Sequence, residues 1–194
     1  MAGNFTKWNS GKHEEKPLYA VLFVSRNKDN KDIDGFKQRR SAFISSDLNE
    51  ANNRFEYFVK NGVKGETSRM YISVNTRKND ETLKKALIHD LIDLDSFPME
   101  LIDARICSIV MRPEFKAERK WLLDVDVDKA KFVENLVAEI EECHPDVECS
   151  ISKTPNGYAV ICSRGFDVRG MKYINDENVT IKRDDMLCYC WKKK

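Results

Sequence analysis

Asp124 and Asp126 stand two residues apart in "KWLLDVDVDKAKF" (residues 120–132), a run otherwise apolar enough for a protein core. On a β-strand, positions two apart project from one face about 7 Å apart, so the two carboxylates point the same way. Unrelieved, they repel each other and resist desolvation. Solvent, arginine or lysine partners, or a divalent metal can relieve such a pair. Mg²⁺ and Mn²⁺ take hard oxygen donors, typically one or two carboxylates completed by water and substrate phosphates. Trp121-Leu122-Leu123 just upstream implies that the carboxylates end a central, buried strand. The pair is therefore a candidate metal half-site. Asp184 and Asp185 close another strand-like run, "NVTIKRDD" (178–185). If that strand neighbours the first, either acid completes a three-carboxylate cluster, which can hold two metal ions that activate a nucleophile and stabilise a leaving group. The plainer alternative is that "KRDD" is a polar turn.

These acids need elements to position them. "PLYAVLFVSR" (17–26) is short, apolar and rich in aromatic and β-branched residues, which predicts a buried strand. A charged loop follows over 27–40. After it, "SAFISSDLNEANNRFEYFVKNG" combines a strand with a helix capped by Ser46 or Asp47 and ended by Asn61-Gly62. "SRMYISVNTR" (68–77) alternates as another strand. Leu83, Leu87 and Leu91, with Ala86, Ile88 and Leu94 beside them, predict an amphipathic helix over 79–95, with His89 one step past its apolar stripe. Pro98 breaks that pattern, and 99–118 is mixed.

From residue 119 the pattern is more regular. A strand over 119–127 leads into a helix over 128–143, with Phe132, Leu136, Val137 and Ile140 on one side, Asp128 as its cap and Pro145 as its stop. "VECSISK" (147–153) and "GYAVICSR" (157–164) form a hairpin around "TPNG", a strong turn signal. "FDVRGMKYINDE" is a connection with room for a short helix. Strands over 178–185 and 186–191 finish the chain, and "WKKK" is a frayed, solvated end. The expected fold is α+β: a flexible arm over 1–16, an N-terminal α/β lobe over 17–112, and an RRM-like or palm-type antiparallel sheet with packed helices over 113–194. The lobes are expected to form one compact unit.

The chain has 194 residues, 41% hydrophobic and 34% charged, which describes a globular protein and not a disordered one. A net charge of +1 means that any nucleic-acid partner must be held by a local basic patch. Arg112, Lys116, Arg119 and Lys120 flank the D-x-D strand, and Lys182 and Arg183 flank Asp184. With Phe115 and Trp121 interleaved, they form a candidate track for a phosphate backbone, or else neutralise the acids or make a solvated face. No apolar run approaches the roughly 18 residues that cross a bilayer, and the N-terminus lacks a signal-peptide layout, so no membrane partner is expected. Six cysteines without Cys-x-x-Cys spacing and three histidines argue against zinc. Free thiols in a reducing cytoplasm are expected.

Three motifs in order resemble the archaeo-eukaryotic primase superfamily, the primase-polymerases: "WLLDVDVD", the hairpin "SKTPNGYAVICSRGFD", and "VTIKRDDMLCY". The likeness covers about residues 115–191. It implies a metal-dependent nucleotidyltransferase with Mg²⁺ or Mn²⁺ as cofactor. Nucleic acid and nucleoside triphosphates are the implied partners, with replication proteins beside them. Carried over position by position, Asp124, Asp126 and Asp184 match the catalytic metal-binding acids, with Asp185 as the alternative third. Lys153, Thr154, Asn156 and Gly157 match the region that meets nucleotide phosphates. The family pattern has a histidine after the aromatic of the hairpin; here the pair is Tyr158-Ala159. Arg164 or Lys153 would have to supply that positive charge. The departure opens a second reading, a non-catalytic accessory protein that binds nucleic acid or a protein partner. The shared metal chemistry opens a third, a nuclease.

Overall fold

Short runs buried on both faces make the central strands β1 (Tyr19–Ser25) and β3 (Thr67–Ser73), and pairing between distant segments arranges the strands in two sheets. The structure, a computed structural model, describes residues 16–92 and 98–194. Strands β1 (Tyr19–Ser25), β2 (Arg39–Ser45), β3 (Thr67–Ser73) and β8 (Met186–Lys193) form one antiparallel sheet in the order β2-β1-β3-β8. Strands β4 (Trp121–Val125), β5 (Cys149–Lys153), β6 (Tyr158–Cys162) and β7 (Val179–Ile181) form a second, in the order β5-β6-β4-β7. Four α-helices join them among the described residues: α1 (Leu48–Lys60), α2 (Glu81–Ile92), α3 (Ile102–Val110) and α4 (Ala130–Cys143). The fold is α+β with antiparallel sheets.

Each sheet packs a helix on one face. Val21, Phe23, Met70 and Ile72 meet Ala51, Phe55 and Val59 of α1, and each such side chain removed from water contributes about 1.5–3 kcal/mol. Asp47, and not Ser46, caps α1, accepting hydrogen bonds from the Asn49 and Glu50 amides at 2.8 and 3.3 Å. In the second sheet Leu123, Val125, Val160 and Cys162 meet Val133, Leu136 and Ile140 of α4. Leu122 and Ala159, on the opposite face of that sheet, enter the first core, so the two sheets share apolar contact. A third cluster, Leu83, Ile109, Val110 and Phe115, ties α2 and α3 together.

Several expectations are corrected. The segment 186–191 leaves the C-terminal sheet: β8 pairs with β3 from Ser73↔Met186 to Thr67↔Lys193, so a boundary at residue 113 does not contain it. "WKKK" is not frayed, because Trp191, Lys192 and Lys193 are in this ladder and Lys194 exchanges backbone hydrogen bonds with Gly65 and Glu66. Residues 99–118 hold α3, whose nine residues are too few for a legible period. Asp128 does not cap α4; Lys129 takes that position without a side-chain bond, and Asp128 pairs with Lys153 across the hairpin. β2 begins at Arg39, inside the expected loop, where the Glu66 carboxylate receives the Arg39 guanidinium at 2.5 Å. Ile88 and Leu91 of α2 are exposed, with only Leu83 fully buried. The end of that expected helix beyond Ile92, and the arm before Lys16, lie outside the described residues.

Between the sheets, residues 74–78 leave β3 and run beside 115–120. Ala117 N–H donates to Thr76 O at 2.8 Å, and Lys78 N–H to Phe115 O at 2.8 Å. The Asn75 amide both donates to Lys120 O (3.0 Å) and accepts from Lys120 N–H (2.8 Å). Arg77, fully buried, points its guanidinium at Asp184: Nη2 to Oδ1 at 2.8 Å and Nη1 to Oδ2 at 3.1 Å, with the Asn75 amide adding a bond to Oδ1. Asp184 therefore neutralises a charge that has no water to rely on. Replacing it by Asn leaves that guanidinium without its counter-ion. We expect Asp184→Asn to cost about 3 kcal/mol in urea unfolding; a loss under about 1 kcal/mol would mean that the pair does not anchor the junction.

Candidate functional site

The register of β4 sorts its side chains. Leu123 and Val125 face α4, while Leu122 and Asp124 face the first sheet. Asp124 sits opposite Ala159 on β6 and Thr180 on β7, and Asp126 follows just past the strand end, its N–H donating to Asn178 O at 2.9 Å. Both carboxylates line one cleft between the sheets. Thr154 and Asn156 of the β5–β6 turn lie at its edge. Gly157 in the same turn approaches the end of β4 so closely that a Cβ would overlap the Val125 carbonyl.

Across the cleft stand Arg26 and Lys28, from the turn after β1, with Arg69 and Tyr71 from β3 and Cys188 from β8. Asp29 holds both guanidiniums: Arg26 Nε donates to Oδ2 at 2.9 Å and Arg69 Nη2 to Oδ1 at 2.6 Å. Asn30 fixes the turn to β3, bonding Thr67 N–H at 2.6 Å and Thr67 O at 3.0 Å. Two cations on one carboxylate leave a net positive wall. The Arg69 side chain is only 7% exposed, and its Nε has no partner in the structure, an unmet donor beside the cleft. The hydrogen bond to Asp29 raises the Arg26 pKa despite burial. Burial raises the Tyr71 hydroxyl and pushes the Cys188 thiol up to about 11, so both line the cleft in neutral form.

Lys182 is the remaining cation. Its Nζ lies 2.7 Å from Asp124 Oδ2 and 4.0 Å from Asp185 Oδ2. Burial acts to lower its pKa, but the Asp124 hydrogen bond and the attraction of Asp124, Asp185 and Asp126 raise it on balance. Asp185 caps the Met186 amide at 2.7 Å and borders a recess that continues the cleft with Arg40 and Gln38.

The acids expected together are thus divided. Asp124 and Asp126 share the cleft, Asp185 reaches it through Lys182, and Asp184 is bound to Arg77 instead. Among the described residues no group of three His, Cys, Asp or Glu is placed to hold a metal ion. Asp124 on β4 and Asp126 just past it are the oxygen donors that could meet a hard cation here, and Lys182 lies on the first of them. Of the expected phosphate-binding residues, Thr154 and Asn156 line the cleft. Lys153 is drawn to Asp128 and the Tyr158 ring, and Arg164 lies at the other end of β6, paired with Asp146. Among the basic track, only Lys182 lines the cleft. Arg112 pairs with Asp90, Lys116 bridges to Arg77 through the backbone, Lys120 pairs with Glu118, Arg119 is exposed, and Arg183 lies over the Trp121 ring.

Arg26, Lys28, Arg69 and Tyr71 were not legible as site residues. One signal existed for Arg69: like Asp124, it is a charge inside an otherwise buried strand, "TSRMYIS". No protein-family model, curated protein or solved structure matches this chain, so the chemistry of the cleft rests on its own residues.

Two outcomes follow from this geometry. Gly157→Ala should lower stability by about 2–3 kcal/mol in urea unfolding, since the overlap is with backbone and cannot be relieved by a rotamer. Burial alone would raise the Asp29 pKa, but bonds from Arg26 and Arg69 hold it below the ordinary 3.8. The unfolded chain then takes up this proton at a higher pH than the folded one. The stabilisation is complete above the ordinary value and disappears as pH falls through the folded one. Wild type should therefore lose more stability than Asp29→Asn between about pH 5 and about pH 3; parallel pH profiles would contradict this.

Proposed function

We propose that this protein is a metal-dependent nucleotidyltransferase of primase-polymerase type, acting on a nucleic-acid 3′-hydroxyl and a nucleoside triphosphate. The observation that carries it is the opposition, across one cleft, of the Asp124–Asp126 pair and the Asp29-held guanidiniums of Arg26 and Arg69. In the reaction the 3′-hydroxyl gives its proton to water as its oxygen bonds the α-phosphorus, the bond from that phosphorus to the bridging oxygen breaks, and pyrophosphate leaves. Such chemistry depends mainly on positioning and charge neutralisation. Arg69, Arg26 and Lys28 would grip the polyphosphate, since guanidiniums match phosphate oxygens in pairs. Arg69 would supply the positive charge that the family's histidine carries, because Ala159 has no polar atom to offer. Asp124 and Asp126 would hold Mg²⁺ or Mn²⁺, with Asp185 and not Asp184 as the third acid in reach. The bound ion would neutralise phosphate charge and acidify the 3′-hydroxyl. Thr154, Asn156 and the Gly157 backbone would border the nucleotide. Among the described residues no helix is long and apolar enough to cross a membrane, and six free cysteines suit a reducing, cytoplasmic setting.

A second reading has its own support. Ala159 replaces the motif histidine and Lys182 sits on Asp124, as in a binding protein of this type that has lost catalysis.

Purified protein incubated with template, nucleotides and Mn²⁺ should extend or start a labelled strand, and Asp124→Asn should abolish product. Arg69→Ala should raise KM for the nucleotide about tenfold, the loss of one charge-assisted contact, with a smaller change in kcat. Absence of product, with nucleic-acid binding intact in Asp124→Asn, would favour the accessory reading. Shortening of labelled single strands would favour a nuclease.

A further inference from the structure

The second sheet brings its own cation to the carboxylates. Ile181 of β7 pairs opposite Leu123, and Lys182 N–H donates to Leu122 O at 2.7 Å, which fixes the backbone of this residue beside β4. The side chain then lies between Asp124 and Asp185, at 2.7 and 4.0 Å from their Oδ2 atoms. It is about a third exposed, at 34%, so the four-carbon stem has room to swing. An ammonium is a compact point charge on a flexible stem, without the rigid fork that locks a guanidinium to one partner.

We propose that Lys182 is a tethered counter-ion, holding the carboxylates of Asp124 and Asp185 until a divalent cation arrives together with polyphosphate. This rests on the nucleotidyltransferase reading. Without Lys182 the carboxylates of Asp124 and Asp185 would lose the cation they share, and Asp124 would be open to a free cation. With it, a cation alone must break an ion pair to bind. Polyphosphate changes the balance, because Lys182 then has anionic oxygens to move to within the same cleft. Arg26, Lys28 and Arg69 line that same cleft with Asp124 and Asp126, so its lining, Lys182 included, carries more cations than acids. Binding of the two ligands is therefore coupled, each raising the affinity of the other by the same factor. The device keeps the acids from collecting metal ions when no substrate is present.

The experiment is Mn²⁺ binding to the full chain, followed by electron paramagnetic resonance of the free ion, with and without a non-hydrolysable nucleoside triphosphate analogue. Lys182→Met should bind Mn²⁺ alone about tenfold more tightly than wild type, within the usual range of such couplings. The analogue should narrow the difference between the two proteins. Adding Asp124→Asn to Lys182→Met should remove the gain. Lys182→Gln, which keeps a polar end, serves if circular dichroism shows Lys182→Met to be unfolded. Equal Mn²⁺ affinity in wild type and the Lys182 variants overturns the counter-ion role and leaves the metal-dependent reading standing. No Mn²⁺ binding in any variant, with or without the analogue, overturns both.

Discussion

A guanidinium shut away from water must find an anion, and the position of that anion dictates the rest of this molecule. Arg77 is fully buried where the chain leaves the first sheet, and its counter-ion is Asp184, 107 residues later. Removing either partner would strand a charge in the interior. Asn75 widens the contact by bonding Asp184 and both backbone groups of Lys120. One polar cluster thus joins the exit from β3, the entry to β4 and the approach to β8. The order of the strands follows from it: Asp185 O accepts from Val74 N–H, and β8 continues directly alongside β3.

The cleft is a consequence of that junction. Its acidic wall belongs to β4 and the residue just past it, with Lys182 beside Asp124, and its basic wall to the turn after β1 and to β3. Each wall is stiffened separately. Asp124 is set by the alternation of a strand whose other face is sealed against α4, while Arg26 and Arg69 are set by a shared carboxylate and by Asn30. Opposite charges therefore stand on facing surfaces, and on the acidic side Lys182 already occupies Asp124.

How much of this was legible depends on whether the signal was local. Alternation around Trp121–Val125 identified a strand with one sealed face, and the carboxylates on its other face stood out as an anomaly. The hairpin around Asn156-Gly157 was legible from its turn residues, although neither adopts a positive φ and Gly157 is required instead by its close approach to the Val125 carbonyl. Asp184 shows where local reasoning stops: an acid ending a strand looks the same whether it waits for a ligand or answers a buried arginine. Only the partner decides, and Arg77 lies in a segment that reads as the tail of a strand. The placement of β8 was hidden too, because pairing with β3 instead of a nearer strand depends on the junction and not on the "MLCYCW" run. Arg69 was concealed by a basic pattern searched for near the acids in sequence, when the fold supplies it from elsewhere.

The placement of β8 has a mechanical consequence. Residues 74–185 carry the whole second sheet, yet they leave and rejoin the first sheet at neighbouring strands, where Ser73 pairs with Met186. The second sheet is in effect an insertion held at both ends by one small region. The two tethers meet at one place, and the Arg77–Asp184 contact there is joined by the packing of Leu122 and Ala159 into the first core. The salt bridge that settles where the chain goes therefore also lies where the inserted sheet is attached, so a single buried ion pair bears on both the strand order and the seating of one cleft wall against the other.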